Sequence, residues 1–356
     1  MIITAVDVQN IRIISAASLE PHPSLNLISG ANGSGKSSLL EALHCLSVGH
    51  SFRTRRAREI ISRSEPSFQI SGVLRNPNDD REHRAGLSRH RDGTTQIRLN
   101  FEEITSLADL SLLLPIKALT PDSHQLIQEG PELRRKFVDW GVFHVEPQFL
   151  HQWRVFKRSL IQRNQLLRDA ASTPEIEAWN DPLVNAAIAI DGFRKHFVSR
   201  LSDALTERLN KLDTMFHVKL SYRSGWAADQ DLAELMRLNL DYHRKMKTTT
   251  DGPHRADLVI QAPDVPARQL LSRGQQKVLV YLLHLAQLDL LHREKSTRAI
   301  VLCDDLTSEL DEYHRLHVIE QLLALQSQIF VSGVDLSSLS QHPHKGFHFE
   351  RGEIQT

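Results

Sequence analysis

The chain has 356 residues, 40% of them hydrophobic and 24% charged, enough for one large buried core or two moderate ones. Its 43 basic and 43 acidic residues cancel, so bulk charge draws it to neither nucleic acid nor a membrane, and any such surface must be local. Cys45 and Cys303 are too few for a disulfide scaffold; in their apolar surroundings they read as small core residues of a reducing compartment.

The N-terminal run Met1-Ile2-Ile3-Thr4-Ala5-Val6-Asp7 has no basic leader. The most apolar window, Val278 to Leu291, is interrupted by His284, Gln287 and Asp289. A soluble, cytoplasmic protein with no membrane partner is expected. The first element with chemistry in it is the apolar strand Leu25-Asn26-Leu27-Ile28-Ser29. It runs into Gly30-Ala31-Asn32-Gly33-Ser34-Gly35-Lys36-Ser37, and then into the helical pattern Ser38-Leu39-Leu40-Glu41-Ala42-Leu43. Strand, glycine loop and helix in this order form a P-loop. The glycines let successive backbone N–H groups curl round a phosphate, and the helix N-terminus adds a favourable dipole. Residues Gly30 to Ser38 are therefore expected to bind a nucleoside triphosphate, with Lys36 on the β- and γ-phosphates and Ser37 on Mg²⁺.

Soon afterwards Arg53, Arg55, Arg56 and Arg58 crowd into one short stretch. Such a run is either a solvated face or a set of forks for phosphate oxygens. Two long helical patterns follow. One carries Phe149, Trp153, Phe156 and Leu160; the other carries Ile190, Phe193, Phe197, Leu201, Leu205, Leu209 and Leu212. Ser172-Thr173-Pro174 and Asn180-Asp181-Pro182 read as breakers between them. Two helices folded back on each other would make a short arm, although the same residues could simply complete a core.

Far downstream, Ala299-Ile300-Val301-Leu302-Cys303 is a buried-strand pattern ending in Asp304-Asp305, with a further strand at Ile329-Phe330-Val331-Ser332. This is the Walker B pattern: Asp304 would hold Mg²⁺ directly or through water, and Asp305 would orient or deprotonate the attacking water. Shortly before it stands Leu271-Ser272-Arg273-Gly274-Gln275, opening an apolar helix. On its own this could be a helix cap. Placed just ahead of a Walker B strand, it resembles the signature turn of ABC-type ATPases. There Ser and Gly touch the γ-phosphate held by a second subunit, which makes Ser272, Gly274 and Gln275 nucleotide-binding candidates. Leu306-Thr307-Ser308-Glu309-Leu310-Asp311 resembles the D-loop of those proteins. Two positions depart from their pattern: Ser332 stands where His is common, and Asp305 where Glu is usual. The shorter Asp305 side chain implies slow hydrolysis.

Further segments narrow the resemblance. Gly49-His50-Ser51-Phe52-Arg53-Thr54, Thr120-Pro121-Asp122, Gly130 to Asp139 and Gly252-Pro253-His254-Arg255-Ala256-Asp257-Leu258 are together similar to the RecF family of repair ATPases with SMC-like heads. The opening strand Val8-Gln9-Asn10-Ile11-Arg12 fits as well, with Ile11 for the usual Phe, so nearly the whole chain is covered. The resemblance implies an α/β ABC/SMC-type P-loop ATPase head with an inserted helical arm domain. Residues 1–130 and 246–356 would form the head, and 131–245 the arm. It further implies an ATP-dependent homodimer on DNA, at single-stranded gaps and duplex junctions. The expected role is recombinational repair, replication restart and the SOS response, helping load recombinase with RecO and RecR. Binding led by phosphate contacts makes Arg53, Arg55, Arg56 and Arg58 the DNA candidates. An ABC transporter-type ATPase subunit is the alternative reading, and a small-molecule kinase or a non-hydrolysing nucleotide-gated scaffold are more distant ones.

Overall fold

The computed structural model describes every residue except 78–80, 212–215, 307–311 and 356. The D-loop expectation at 307–311 therefore lies outside the described residues. The chain forms two compact units, one of residues 1–123 with 277–356 and one of residues 124–276.

The first unit is built on two six-stranded sheets. Its strands in chain order are β1 (Ile2–Ile11), β2 (Ile14–Leu19), β3 (Leu25–Gly30), β4 (Ser67–Arg75), β5 (Glu82–His90), β6 (Thr95–Leu99), β7 (Glu102–Ile104), β8 (Ile116–Leu119), β12 (Ile300–Cys303), β13 (Ile329–Gly333), β14 (His344–Glu350) and β15 (Glu353–Gln355). One sheet is antiparallel, in the order β2-β1-β4-β5-β6-β7. The other, β15-β14-β3-β13-β12-β8, is parallel apart from its edge strand β15. Its central strands are buried along nearly their whole length, which is why β3, β12 and β13 read as continuous apolar runs instead of alternating ones.

The helix Lys36–Val48 shares one core with side chains from both sheets, including Val6, Phe68 and Ile70 of the antiparallel sheet and Ile28, Leu302 and Phe330 of the parallel one. Only a helix that is apolar almost all round can be covered on opposite sides, and Leu39, Leu40, Ala42, Leu43, Cys45 and Leu46 supply that surface. Both cysteines are free and buried. Burial raises the Cys303 thiol to about 12 and pushes the Cys45 thiol up as well, so neither is a nucleophile here.

In the second unit the helices Phe149–Arg168 and Asn180–Lys211 pack along each other. Phe149, Phe156, Ile190, Phe197, Leu201, Leu205 and Leu209 are buried as their spacing predicts, Trp153, Leu160 and Phe193 are half-buried, and Leu212 lies outside the described residues. Both breakers turn out differently. Ser172 and Glu175 form a reciprocal capping box that starts a short helix, Thr173–Glu177. Asn180-Asp181-Pro182 opens the 32-residue helix. Proline is tolerated there because a first-turn N–H has no intrahelical partner to lose. The unit also contains a three-stranded antiparallel sheet, β9 (Lys219–Arg223), β10 (Asp257–Ala262) and β11 (Val265–Pro266), in the order β11-β10-β9.

Two wholly buried arginines tie the second unit together. Arg194 places a fork on Asp139 at 2.7 and 2.9 Å and donates to Pro253 O at 2.6 Å. Arg163 donates to Asn180 Oδ1 at 2.9 Å and Thr249 Oγ1 at 2.7 Å. Charges this deep persist only when paired and hydrogen-bonded. Among the described residues, no helix is long and apolar enough to cross a membrane.

Candidate nucleotide site

Strand β3 ends at Gly30, whose φ of 144° suits only glycine; a Cβ there would stand 2.3 Å from Phe349 O. The loop then crosses β14 closely and enters the helix at Lys36. The Lys36 ammonium donates to Gly30 O at 2.7 Å and Ala31 O at 2.8 Å, lying across the loop that would hold a phosphate. Burial lowers its pKa, and the negative charges of Asp305 and Asp304 oppose that shift. The Ser34 hydroxyl is buried and has no hydrogen-bond partner among the described residues. Phosphate oxygens would give both groups acceptors. Ala31, Asn32 and Gly33 form the exposed tip of the loop, and Gly35 and Ser38 are buried beneath it.

Parallel pairing of β12 beside β13, itself beside β3, brings Asp304 to the foot of the loop. Ser37 Oγ donates to Asp304 Oδ1 at 2.7 Å, and Ser332 Oγ donates to the same oxygen at 2.9 Å. Arg53 Nη2 donates to Asp304 Oδ2 at 2.9 Å. Asp305 turns the chain with φ of 53°, a left-handed conformation that Asp adopts more readily than most residues. Its backbone N–H donates to Ser332 Oγ at 3.0 Å. Ser332 therefore fixes both acids at once, accepting from one residue and donating to the other. Ser37 keeps an oxygen lone pair for a cation while its proton rests on Asp304. This donor set suits Mg²⁺, which takes one or two protein oxygens and completes its shell with phosphate and water. Ser37 and Asp304 would hold it.

Arg53 is thus drawn into this acid cluster, whereas the sequence placed it with Arg55, Arg56 and Arg58 as a DNA candidate. Arg53 stays exposed at its other atoms, and the other three do not reach Asp304: Arg56 pairs with Glu59 at 3.1 Å, Arg58 donates to Arg91 O at 3.2 Å, and Arg55 is exposed. The reason lies in Ser51, whose hydroxyl accepts the Arg53 N–H at 2.9 Å and itself donates to the buried Glu41. Glu41 also receives Arg12 Nε at 3.0 Å and Nη2 at 2.9 Å. Arg12, Glu41 and Ser51 went without a site role in the sequence reading, and Ser332 stood there only as a departure at a position where His is common. A lone acid inside Leu39-Leu40-Glu41-Ala42-Leu43 is the signal that could have exposed the first three.

The signature segment lies in the second unit. Ser272 N–H donates to Gln275 Oε1 at 2.9 Å, and Gln275 N–H returns a bond to Ser272 Oγ at 3.3 Å. This is a capping box at the start of the helix Arg273–Lys295. Ser272 and Gly274 are exposed, and a Cβ on Gly274 would meet nothing within 4 Å. Among the described residues, no packing asks for glycine there.

A sequence model of the RecF/RecN/SMC N-terminal domain matches residues 2–347. Proteins named DNA replication and repair protein RecF from Shewanella baltica (strain OS223) and Shewanella denitrificans are each 39% identical over 360 residues, covering 99% of both chains. Among solved structures, that of the recombination mediator protein RecF with ATP in the RecFOR pathway is similar with a TM-score of 0.90 and 24% identity, over 99% of this chain and 97% of that one. An Smc head bound to the C-terminal winged-helix domain of ScpA is similar at 0.63 and 16%, over 100% and 96%. At these identities the two structures speak for the fold, an ATPase head of the SMC kind.

Proposed function

The chain belongs to the RecF family of DNA replication and repair proteins, and from that premise we propose that it is an ATP-gated DNA clamp with slow hydrolysis. Gly30 to Ser38 of one copy bind ATP, and Ser272, Gly274 and Gln275 of a second copy close over the γ-phosphate. Ser37 and Asp304 would hold Mg²⁺, which when bound would offset the negative charge of the phosphates. Lys36 exchanges its two carbonyl acceptors for phosphate oxygens. Asp305, aimed by Ser332, orients the attacking water and takes up its proton. An Asp reaches less far than a Glu would, so turnover is slow.

The observation that carries this reading is the state of Gly274. It is the second residue of the helix Arg273–Lys295, on the turn that Ser272 caps, and among the described residues a Cβ there would meet nothing within 4 Å. A backbone open to outside contact at a helix N-terminus, next to an exposed Ser272, suits the phosphate of another molecule. Two such sites, each incomplete alone, make ATP the link between copies. The closed dimer holds DNA at single-strand gaps and duplex junctions through phosphate contacts, with Arg55, Arg56 and Arg58 available on the surface. Hydrolysis releases it. In the cytoplasm this supports recombinase loading with RecO and RecR during repair, replication restart and the SOS response. The transporter-subunit alternative is not favoured, because the full-length relatives are replication and repair proteins.

Sedimentation of the purified chain with ATP, with ADP and with neither, each with and without gapped duplex, tests the proposal. A dimer that forms only with ATP and then holds DNA salt-sensitively is expected. Lys36→Met should abolish nucleotide binding, and Asp305→Asn should leave a persistent ATP dimer. A dimer of equal strength without ATP would refute the clamp.

A further inference from the structure

The nucleotide site makes no use of the Gly-Pro-His-Arg segment. In the second unit, Gly252 N–H donates to Gly225 O at 3.2 Å. A Cβ on Gly225 would lie 1.8 Å from Gly252 O, so two backbones meet where no other residue fits. This contact sets the loop after β9 against the segment and opens a cleft of about 580 Å³. Lys195, Arg223 and Arg255 give it three cations, and Tyr222 and Trp226 give it aromatic walls.

The acids nearby are already engaged. Asp257 accepts a fork from Arg134 at 2.7 and 3.1 Å, with Arg223 farther away at 3.7 Å. Asp191 pairs with Lys195 at 2.7 Å, and Asp139 pairs with Arg194. Arg255 is exposed, and its guanidinium has no hydrogen-bond partner among the described residues. The cleft therefore carries surplus positive charge beside a half-buried indole. Guanidinium forks suit phosphate oxygens, and an indole face suits a base. The volume falls within the range of small-ligand clefts, roughly 300–1,000 Å³, and is too small to seat a duplex. A base can reach a recessed indole only when it is unstacked from its neighbours.

The geometry points to a contact site for a single nucleic-acid strand, with Arg223, Arg255 and Lys195 on phosphates and Trp226 under a base. This assignment rests on the DNA-binding part of the proposed function and locates it on a surface not otherwise implicated. The test is fluorescence anisotropy of a labelled oligothymidylate, and of a fully paired duplex of equal length, on the full chain with ATP. Trp226→Ala should weaken oligothymidylate binding about tenfold and Trp226→Phe should restore most of it, leaving the duplex unaffected. Removing both arginines, Arg223→Ala with Arg255→Ala, should lower the slope of log K against log salt by about 1.4, since each phosphate contact on a single strand contributes about 0.7. Unchanged ATP binding and circular dichroism certify the fold of each variant. If the unaltered chain binds neither DNA, the clamp reading falls and this site with it. If it binds oligothymidylate and the variants match it, this site alone is wrong.

Discussion

Removing Arg12 should destabilise the first unit more than removing the acid it holds. Arg12 and Glu41 share two charge-assisted bonds, but their surroundings differ: the arginine side chain is 29% exposed and the carboxylate 0%. In Glu41→Ala the released guanidinium can turn to water, so the loss is about 2 kcal/mol, mostly hydrogen bonding. In Arg12→Ala the carboxylate keeps Ser51 but stays sealed in the core, and stranding one member of a buried pair costs about 3–5 kcal/mol. The double variant strands no charge, so its effect should fall short of the sum by about 2 kcal/mol. Urea unfolding followed by far-ultraviolet circular dichroism measures this. Trp140, Trp153, Trp179 and Trp226 all lie within residues 124–276, so tryptophan fluorescence follows the second unit and separates its unfolding from that of the first. Equal losses in the two single variants, or additivity within about 0.5 kcal/mol, would refute the argument that burial sets the asymmetry.

Gly274→Ala should raise the stability of the monomer by about 0.4–1 kcal/mol, by lowering the entropy of the unfolded chain, while weakening the ATP-dependent dimer, read by unfolding and sedimentation on the same sample. Ser332→Ala removes one bond to Asp304 and one from Asp305; ATP affinity should stay within about threefold while turnover falls roughly tenfold or more, an effect of a kind with losing one positioned donor. Burial lowers His44 and His254 to about 4, so the unfolded chain, titrating near 6.5, takes up protons first as pH falls. Stability should hold above pH 6.5 and be lost between 6.5 and 4, by up to about 3 kcal/mol for each histidine. Replacing His254 with Phe should flatten part of that loss; an unchanged acid profile would count against its burial as the cause.

The P-loop's strand, glycine turn and helix were readable because the residues phosphate binding would call for, from Gly30 to Ser37, must be neighbours in the chain to be neighbours in space. Walker B was readable because a buried parallel strand is short and uniformly apolar, and Asp304 ends one. Side-chain partners across the fold leave no such trace. Nothing local says that Arg12 meets Glu41, or that Arg53 reaches Asp304 while Arg55 does not; that depends on Ser51 accepting a backbone N–H. Secondary structure failed at Pro182 for a related reason, because a proline reads the same whether it interrupts a helix or begins one. The pairing of Lys219–Arg223 with Asp257–Ala262 was also out of reach, since it joins strands on either side of a helical stretch.

Strand β3 lies between β13 and β14, so the phosphate loop hangs from a strand whose neighbours come roughly 300 residues later in the chain. During synthesis roughly 300 residues must follow Leu27 before Val331 can pair with it, an interval of about 15–60 s at ribosomal speed. Through that time β3 offers two open edges and an apolar face, while the second unit, encoded wholly in between, can already fold. A chain cut short before Ile329 would keep its whole P-loop motif and have no sheet to hang it on. Such nascent chains are the ones most in need of a chaperone, and the newborn protein should bind nucleotide only once β13 and β14 have left the ribosome.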